Sequence, residues 1–570
     1  MAADLILTNA TVYTVDTARP WASSLAVEDG KVLALEDVDR GPKTEVLDLG
    51  GAFVMPGFVD VHNHHALAGR AALFELTFGG DAGFEDILAA VRDRARGLGR
   101  DEWVIGGAWA STLVSTLSQH SARLALDEAA GGRPVVLSDD SRHNRWVSSR
   151  ALELAGITSS TVDPTSGVIV RDQDGTPTGV LLEAAGMLVE REQRENSALS
   201  AEQHARASRH GIEILHSYGV TAFQDAGVSV DIMAALKTLD DAGELDAWVV
   251  SSLLVNDPIF GVDPIGRPLI EVRERYRTEH HRPDFVKIFL DGVPPTRTAA
   301  FLEPYRPDEV HGACFHGATT MTPPELEGWL RTAAEAGLSA KIHCTGDASV
   351  RATLDAVEKV RAEGYPDTKF QVAHGQFVHP DDIPRFAELG VAADISPFLW
   401  VPGVIPSAIA GVLPAERAER MQPNRSLLDR GALVAGGSDW PVSESPDAWE
   451  GIEGLVTRQD PSGAFPGALW PEQAITLSEA IEVFTLGAAR ACGLDDVTGS
   501  LTPGKSADFL VLDRDPFRTT AGALATTKVA ETWFAGRRVF RRGGAPGAQP
   551  AEKLYYPGST TQGHVKKKQP

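Results

Sequence analysis

Cysteine is nearly missing from this chain: three residues in 570, at positions 314, 344 and 492. An odd, scattered trio does not make a disulfide framework, and it suits a reducing cytoplasm. Positive charge is short as well. The 53 Lys and Arg face 78 Asp and Glu, a net charge of −25, which argues against a phosphate-backbone partner and against a polybasic membrane patch. No run of about 18 or more apolar residues occurs, so no membrane span is expected. The opening "MAADLILTNATVYTVD" has no basic region followed by an apolar one, so no signal peptide is expected either. What remains is a soluble globular composition, 43% hydrophobic and 23% charged, and a chain too long for one ordinary core.

The two ends read alike. "LILTNATVYTV", "SLAVEDGKVLALED" and "EVLDLGGAFVMPG" alternate like short strands between turns, and the pattern returns as "GSLTPGKSADFLVLDRD" and "VAETWFAGRRVF". Each half is too short for an independent sheet. The expectation is one small β-sandwich domain built from residues 1–55 and 495–541, with 542–570 as a polar, Gly/Pro-rich tail. Between them, residues 56–494 hold eight apolar runs of strand length: 58–62, 219–225, 248–254, 284–290, 338–344, 369–374, 390–396 and 432–439. Helical patterns such as "SVRATLDAVEKVRAEG" separate several of them. This α/β rhythm predicts a (β/α)₈ TIM-like barrel. The alternative, an open doubly wound sheet, lacks a G-x-G-x-x-G after a strand to support it. The long connection after the first strand predicts a large insertion, about 66–210.

Chemistry gathers at the strand ends. In "DVHNHH", His62 and His64 are two apart and project to the same side of a strand. His343 closes "LSAKIHC", His374 closes "KFQVAH" and Asp439 closes "ALVAGGSD", each at the C-terminal end of a strand, where barrel enzymes build active sites. That register predicts a metal site. Lys287 interrupts the apolar "DFVKIFLDG"; burial near cations would lower its pKa, and a neutral amine can add carbon dioxide to become a two-oxygen anionic ligand. His65 is expected to support a neighbouring ligand, Asp347 to orient a ligand or cap a helix, and Cys344 to be a core thiol. His143, Trp109 and Arg145 in the insertion are candidate substrate contacts.

The order H-x-H, Lys, His, His, Asp over strands 1, 4, 5, 6 and 8 resembles the metal-dependent amidohydrolase superfamily, and its YtcJ-like branch in detail. The stretches that carry the likeness are "MPGFVDVHNHH", "EWVIGGAW", "GVTAFQDAG", "VKIFLDGV", "HCTGDASV", "VAHGQFVHPDDIPRFAELGV", "GSDWPV" and "SLTPGKSADFLVLDRDP". The strand-5 motif departs from the commoner "HAIGDRAV" at Ala348 and Ser349, and "DDSRHNRWV" differs from "SDGHHAWVN"; both touch expected substrate contacts. The resemblance implies two divalent ions, zinc by preference, bridged by carboxylated Lys287 and a hydroxide, although one ion would also serve. His62 and His64 would hold one ion and His343 and His374 the other, with Asp439 as ligand and general base then acid. It implies hydrolysis of a C–N bond in a small amide-like molecule: an N-acyl or N-formyl amine, a cyclic amide or a carbamate. A lyase, hydratase or isomerase on the same barrel is the alternative, with a non-catalytic metal-binding protein behind it. A homodimer is expected only by analogy with the fold.

Overall fold

The structure, a computed structural model, describes residues 3–36, 38, 40–79, 82–140, 144–164, 167–197, 199–256 and 264–543. Eight apolar runs form one sheet: β1 Phe58–Asn63, β2 Val220–Val228, β3 Trp248–Leu254, β4 His281–Phe289, β5 Ser339–Cys344, β6 Phe370–His374, β7 Val391–Ile395 and β8 Val434–Gly436. Spatial order follows chain order, and every neighbouring pair is parallel. Strands covered on both faces need apolar residues on both, which is why they read as runs rather than alternations.

The seam between β8 and β1 is sealed just beyond β8. The Asp439 amide donates to the His62 carbonyl at 2.6 Å, and the His64 amide to the Trp440 carbonyl at 2.7 Å. Buried Asp60 spans the same seam, accepting from the Ser438 amide at 3.0 Å and its hydroxyl at 2.6 Å. A Cβ at Gly437 would stand 2.5 Å from the His62 Cβ, so glycine is required for this approach. The result is the nearly closed (β/α)₈ barrel that the eight runs predict.

Helices cover the barrel with apolar stripes. Pro323–Glu335 starts from Thr322 in a capping box with Glu325, with proline in its first turn, and buries Leu326, Leu330, Ala333 and Ala334. Two others flank the insertion: α1 His65–Phe74 directly follows β1, and α2 Ala201–Ser217 leads into β2. They cross closely at Gly69 and Gly211, where a Cβ would lie 1.9 Å from the Ala207 carbonyl oxygen and 2.3 Å from that of His65.

Between α1 and α2 lies a six-stranded mixed sheet, in the order Gly167–Arg171, Pro177–Glu183, Asn144–Val147, Val135–Asp139, Val104–Trp109, Leu76–Thr77. One core packs Trp109, Trp146, Val91 and Leu126; another packs Trp103, Val147, Leu152 and Leu181.

The chain ends meet in two further sheets. Phe53–Pro56 pairs antiparallel with Phe509–Leu512 inside a six-stranded sheet, and a four-stranded sheet holds Leu5–Thr8, Leu25–Glu28, Lys31–Ala34 and Glu45–Asp48. They share a core of Leu5, Leu7, Val12, Val54, Phe509, Val511 and Trp533, with Phe509 and Trp533 stacked at 5.2 Å. Residues 544–570, most of the expected tail, lie outside the described residues, as does His143. No helix of the described residues is long and apolar enough to cross a membrane.

Candidate metal centre

Six side chains converge at the C-terminal mouth of the barrel: His62 from β1, His64 just after it, Lys287 from β4, His343 from β5, His374 from β6, and Asp439 just after β8. All are buried. Asp439 Oδ1 lies 3.5 Å from His62 Nε2 and 3.6 Å from His64 Nε2, and these three residues place their ligand atoms within 4.8 Å of one another. Lys287 Nζ is 3.4 Å from His62 Nε2. The His374 ring lies 4.7 Å from that of His62 and 4.7 Å from that of His343.

His374 reaches this cluster by breaking the strand alternation. Its register partner on β5 is Cys344, whose thiol turns outward to Thr353 at 3.2 Å. A regular strand would send His374 the same way. Its left-handed backbone, φ 68°, swings the ring inward, a conformation that a non-glycine residue holds only where its surroundings enforce it. Asp439 is left-handed too, at φ 57°.

Other groups hold the second nitrogens of three of the four rings. His62 Nδ1–H donates to Asp394 at 2.9 Å, and His343 Nε2–H donates to the Gly292 carbonyl at 3.2 Å. His374 Nδ1 lies 3.3 Å from the Ser396 hydroxyl, and His64 Nδ1 lies 3.9 Å from Asp225 Oδ1. The opposite nitrogens, His62 Nε2, His343 Nδ1 and His374 Nε2, are the ones a ligand role would use, in the way that ligand imidazoles are oriented by a partner on the far nitrogen. Burial first, and then Lys287, pushes His62 well below the usual imidazole pKa; burial and then His343 do the same to His374. Neutral imidazoles are the form that binds a cation. Four imidazoles, a carboxylate and a buried amine suit zinc, cobalt or nickel better than ions that prefer all-oxygen shells.

Two lysines stand side by side here. Lys287 and Lys341 are register partners on β4 and β5, both fully buried. Lys341 has a carboxylate: it is ion-paired with Asp394 and donates to the Val61 carbonyl at 3.0 Å. Burial and then the Lys341 charge pull Lys287 from the ordinary 10.5 down to about 7. Around them, Asp291 accepts from the amides of Ala300, Thr345 and Gly346, each at 3.0 Å, and from the Ser349 hydroxyl at 2.7 Å. This ties the loop after β4 to the one after β5, and burial raises Asp291 to about 6. His65 Nδ1–H donates to Asp225 at 2.7 Å, and Asp347 accepts from the Leu302 amide at 2.8 Å at the start of its helix. Burial pushes the Cys344 thiol up, as befits a core cysteine.

The insertion's candidates sit elsewhere in that pattern. Trp109 packs in the insertion core and donates through Nε1 to the Leu137 carbonyl at 3.0 Å; Arg145 pairs with Glu190. Lys341, Asp394, Asp60 and Asp225 did not stand out in the sequence. The signal was there for two of them: Lys341 interrupts "LSAKIHC" as Lys287 interrupts its own strand, and Asp394 is an acid within the buried "GVAADIS".

With this geometry in place, likeness to known proteins becomes informative. Residues 45–540 match the Amidohydrolase family. The chain belongs to that family. The N-substituted formamide deformylase of Arthrobacter pascens is 30% identical over 566 residues, covering 95% of this chain and 99% of its own. The putative amidohydrolase YtcJ of Bacillus subtilis (strain 168) is 28% identical over 552 residues, covering 93% and 98%. An uncharacterized metal-dependent hydrolase from Pyrococcus horikoshii OT3 shares the fold, with a TM-score of 0.71 at 23% identity, covering 91% of this chain and 99% of its own. The resemblance carried by the sequence motifs and this match agree. As an amidohydrolase, the chain is a metal-dependent hydrolase acting on C–N bonds.

Proposed function

We propose that this amidohydrolase cleaves the C–N bond of a small amide-like substrate, an N-formyl or N-acyl amine, a cyclic amide or a carbamate, using two divalent ions, zinc by preference. The observation that carries the reading is the meeting of His62, His64 and Asp439 beside Lys287, His343 and His374 at the barrel mouth. His62 and His64 would hold one ion, His343 and His374 the other. Bound divalent ions lower the pKa of water to about 7 and polarise a carbonyl.

Lys287 rather than Lys341 is the residue for carboxylation. Lys341 is committed to Asp394, whereas Lys287 lies against the free face of His62 with its amine near neutrality at about 7. Its nitrogen would add to carbon dioxide and release a proton, leaving an anion that offers two oxygen donors. Asp439, whose Oδ1 faces both His62 and His64, takes the proton from the attacking water. As the C–N bond breaks, it passes that proton to the leaving nitrogen. The products are a carboxylic acid and an amine, both on one molecule when the substrate is cyclic (for a carbamate ester, an amine and a carbonic monoester). The full-length likeness to a formamide deformylase supports N-formyl amines as the first class to try.

The test is amine release from N-formyl, N-acetyl and longer N-acyl amines, lactams and carbamates, with zinc-loaded and chelator-stripped protein side by side. Zinc-dependent release from one class is the expected result. Silence across the panel from protein carrying its ions would reject C–N hydrolysis.

A further inference from the structure

The buried Lys341–Asp394 pair has no part in the reaction above, yet it sits against it. Both side chains are fully buried. Asp394 Oδ2 accepts from His62 Nδ1–H at 2.9 Å and also from the Lys341 ammonium. The same ammonium donates to the carbonyl of Val61, the residue before His62, at 3.0 Å. Lys341 therefore grips His62 twice, once through the backbone that carries it and once through the carboxylate that orients its ring.

A buried ion pair is a poor device for stability alone. Desolvating two charges is costly enough that well-packed apolar replacements are often neutral or stabilising. The placement argues for another use. The ring of His62 can turn about its side-chain bonds and can carry its proton on either nitrogen; a fixed carboxylate on Nδ1 selects one rotamer and one tautomer, with Nε2 bare toward Asp439.

We propose that Asp394, clamped by Lys341, is the positioning residue that presents His62 Nε2 to the first ion. This rests on His62 being a metal ligand, and it adds a requirement on the protein side: an acceptor at position 394. The decisive comparison is between Lys341→Met/Asp394→Asn and Lys341→Met/Asp394→Leu. These carry the same charge and differ in whether an acceptor faces His62 Nδ1. Each is titrated with cobalt after metal removal, following the ligand-field spectrum and competition with a chelator, with His62→Ala as reference.

The expected result is near wild-type cobalt affinity for the Asn variant and a loss of roughly 10- to 100-fold for the Leu variant, with similar melting of the two metal-free proteins. Equal affinities would overturn the positioning role. A wild-type cobalt affinity untouched by His62→Ala would instead overturn the ligand reading on which it rests. A second measurement needs no variant at position 394: nitrogen NMR of histidine-labelled, metal-free protein, with the His62 signal assigned by His62→Ala. The clamp predicts an Nδ1–H tautomer at His62, and an Nε2–H tautomer would overturn it.

Discussion

At the scale of the residue, the site is a set of buried polar groups that each need a reason to be there. Lys287 shows the tension most plainly, since an ammonium inside a barrel lacking its own carboxylate is destabilising. Its pKa falls from 10.5 to about 7 on folding. Between those values the unfolded chain holds a proton that the folded chain has released, so this residue's contribution to stability falls as the pH drops through the window and is lowest below about 7. Metal-free protein is thus expected to melt at a higher temperature as the pH rises from neutral toward 10.5. Lys287→Met should flatten that slope and raise the melting temperature at pH 7 by a few degrees, while losing the second ion. Thermal unfolding across pH checks this; parallel curves for the two proteins would contradict it. Much at this scale was legible. Histidines at strand ends and a lysine in an apolar run are local anomalies, visible without a fold. Lys341 and Asp394 each left a local trace, but their joint grip on His62 did not, because the three come from different strands and only barrel closure brings them together.

At the scale of the element, what matters is how strands end and how they meet. The eight strands announce themselves as apolar runs, but the left-handed turn that brings His374 inward, at φ 68°, is not legible, since most histidines keep φ negative and only the surrounding fold selects the exception. The seam is equally hidden. Gly437 looks like any loop glycine, yet a Cβ there would press on both Cβ and backbone of His62 at 2.5–2.7 Å. Gly437→Ala is expected to cost about 1–3 kcal/mol of stability and to weaken ion binding, because the displaced residue is a ligand. Gly69→Ala, at the α1–α2 crossing, is expected to cost a similar amount with the ion affinity unchanged. Denaturant unfolding with cobalt titration separates the two; an unaltered affinity in Gly437→Ala would show that the seam does not position His62.

At the scale of the whole molecule, the two chain ends are one structural problem. Phe53–Pro56 leads through Gly57 directly into β1, and its sheet partner is Phe509–Leu512. Trp248, the first residue of β3, donates to Asp508, just before that partner strand, at 3.0 Å, which ties the end sheet to the barrel. Truncation after residue 495 is therefore expected to yield insoluble or unfolded protein, measured as soluble fraction and circular dichroism. A folded, metal-binding truncation product would contradict that coupling. The pairing of the ends was legible as two matching strand patterns, whereas the insertion's topology was not: its order depends on contacts between strands as far apart in the chain as Asn144–Val147 and Pro177–Glu183. Whether the bound ions and Asp439 of this amidohydrolase cleave a C–N bond can be measured directly. Amine release from an N-formyl amine is followed as zinc is added back, one equivalent at a time, to stripped wild-type protein and to Asp439→Asn. Activity is expected to rise with bound zinc in the wild type and to fall roughly 10²- to 10⁴-fold in a variant that still takes up zinc. Amine release from stripped protein, or from zinc-loaded Asp439→Asn at the wild-type rate, would contradict this expectation.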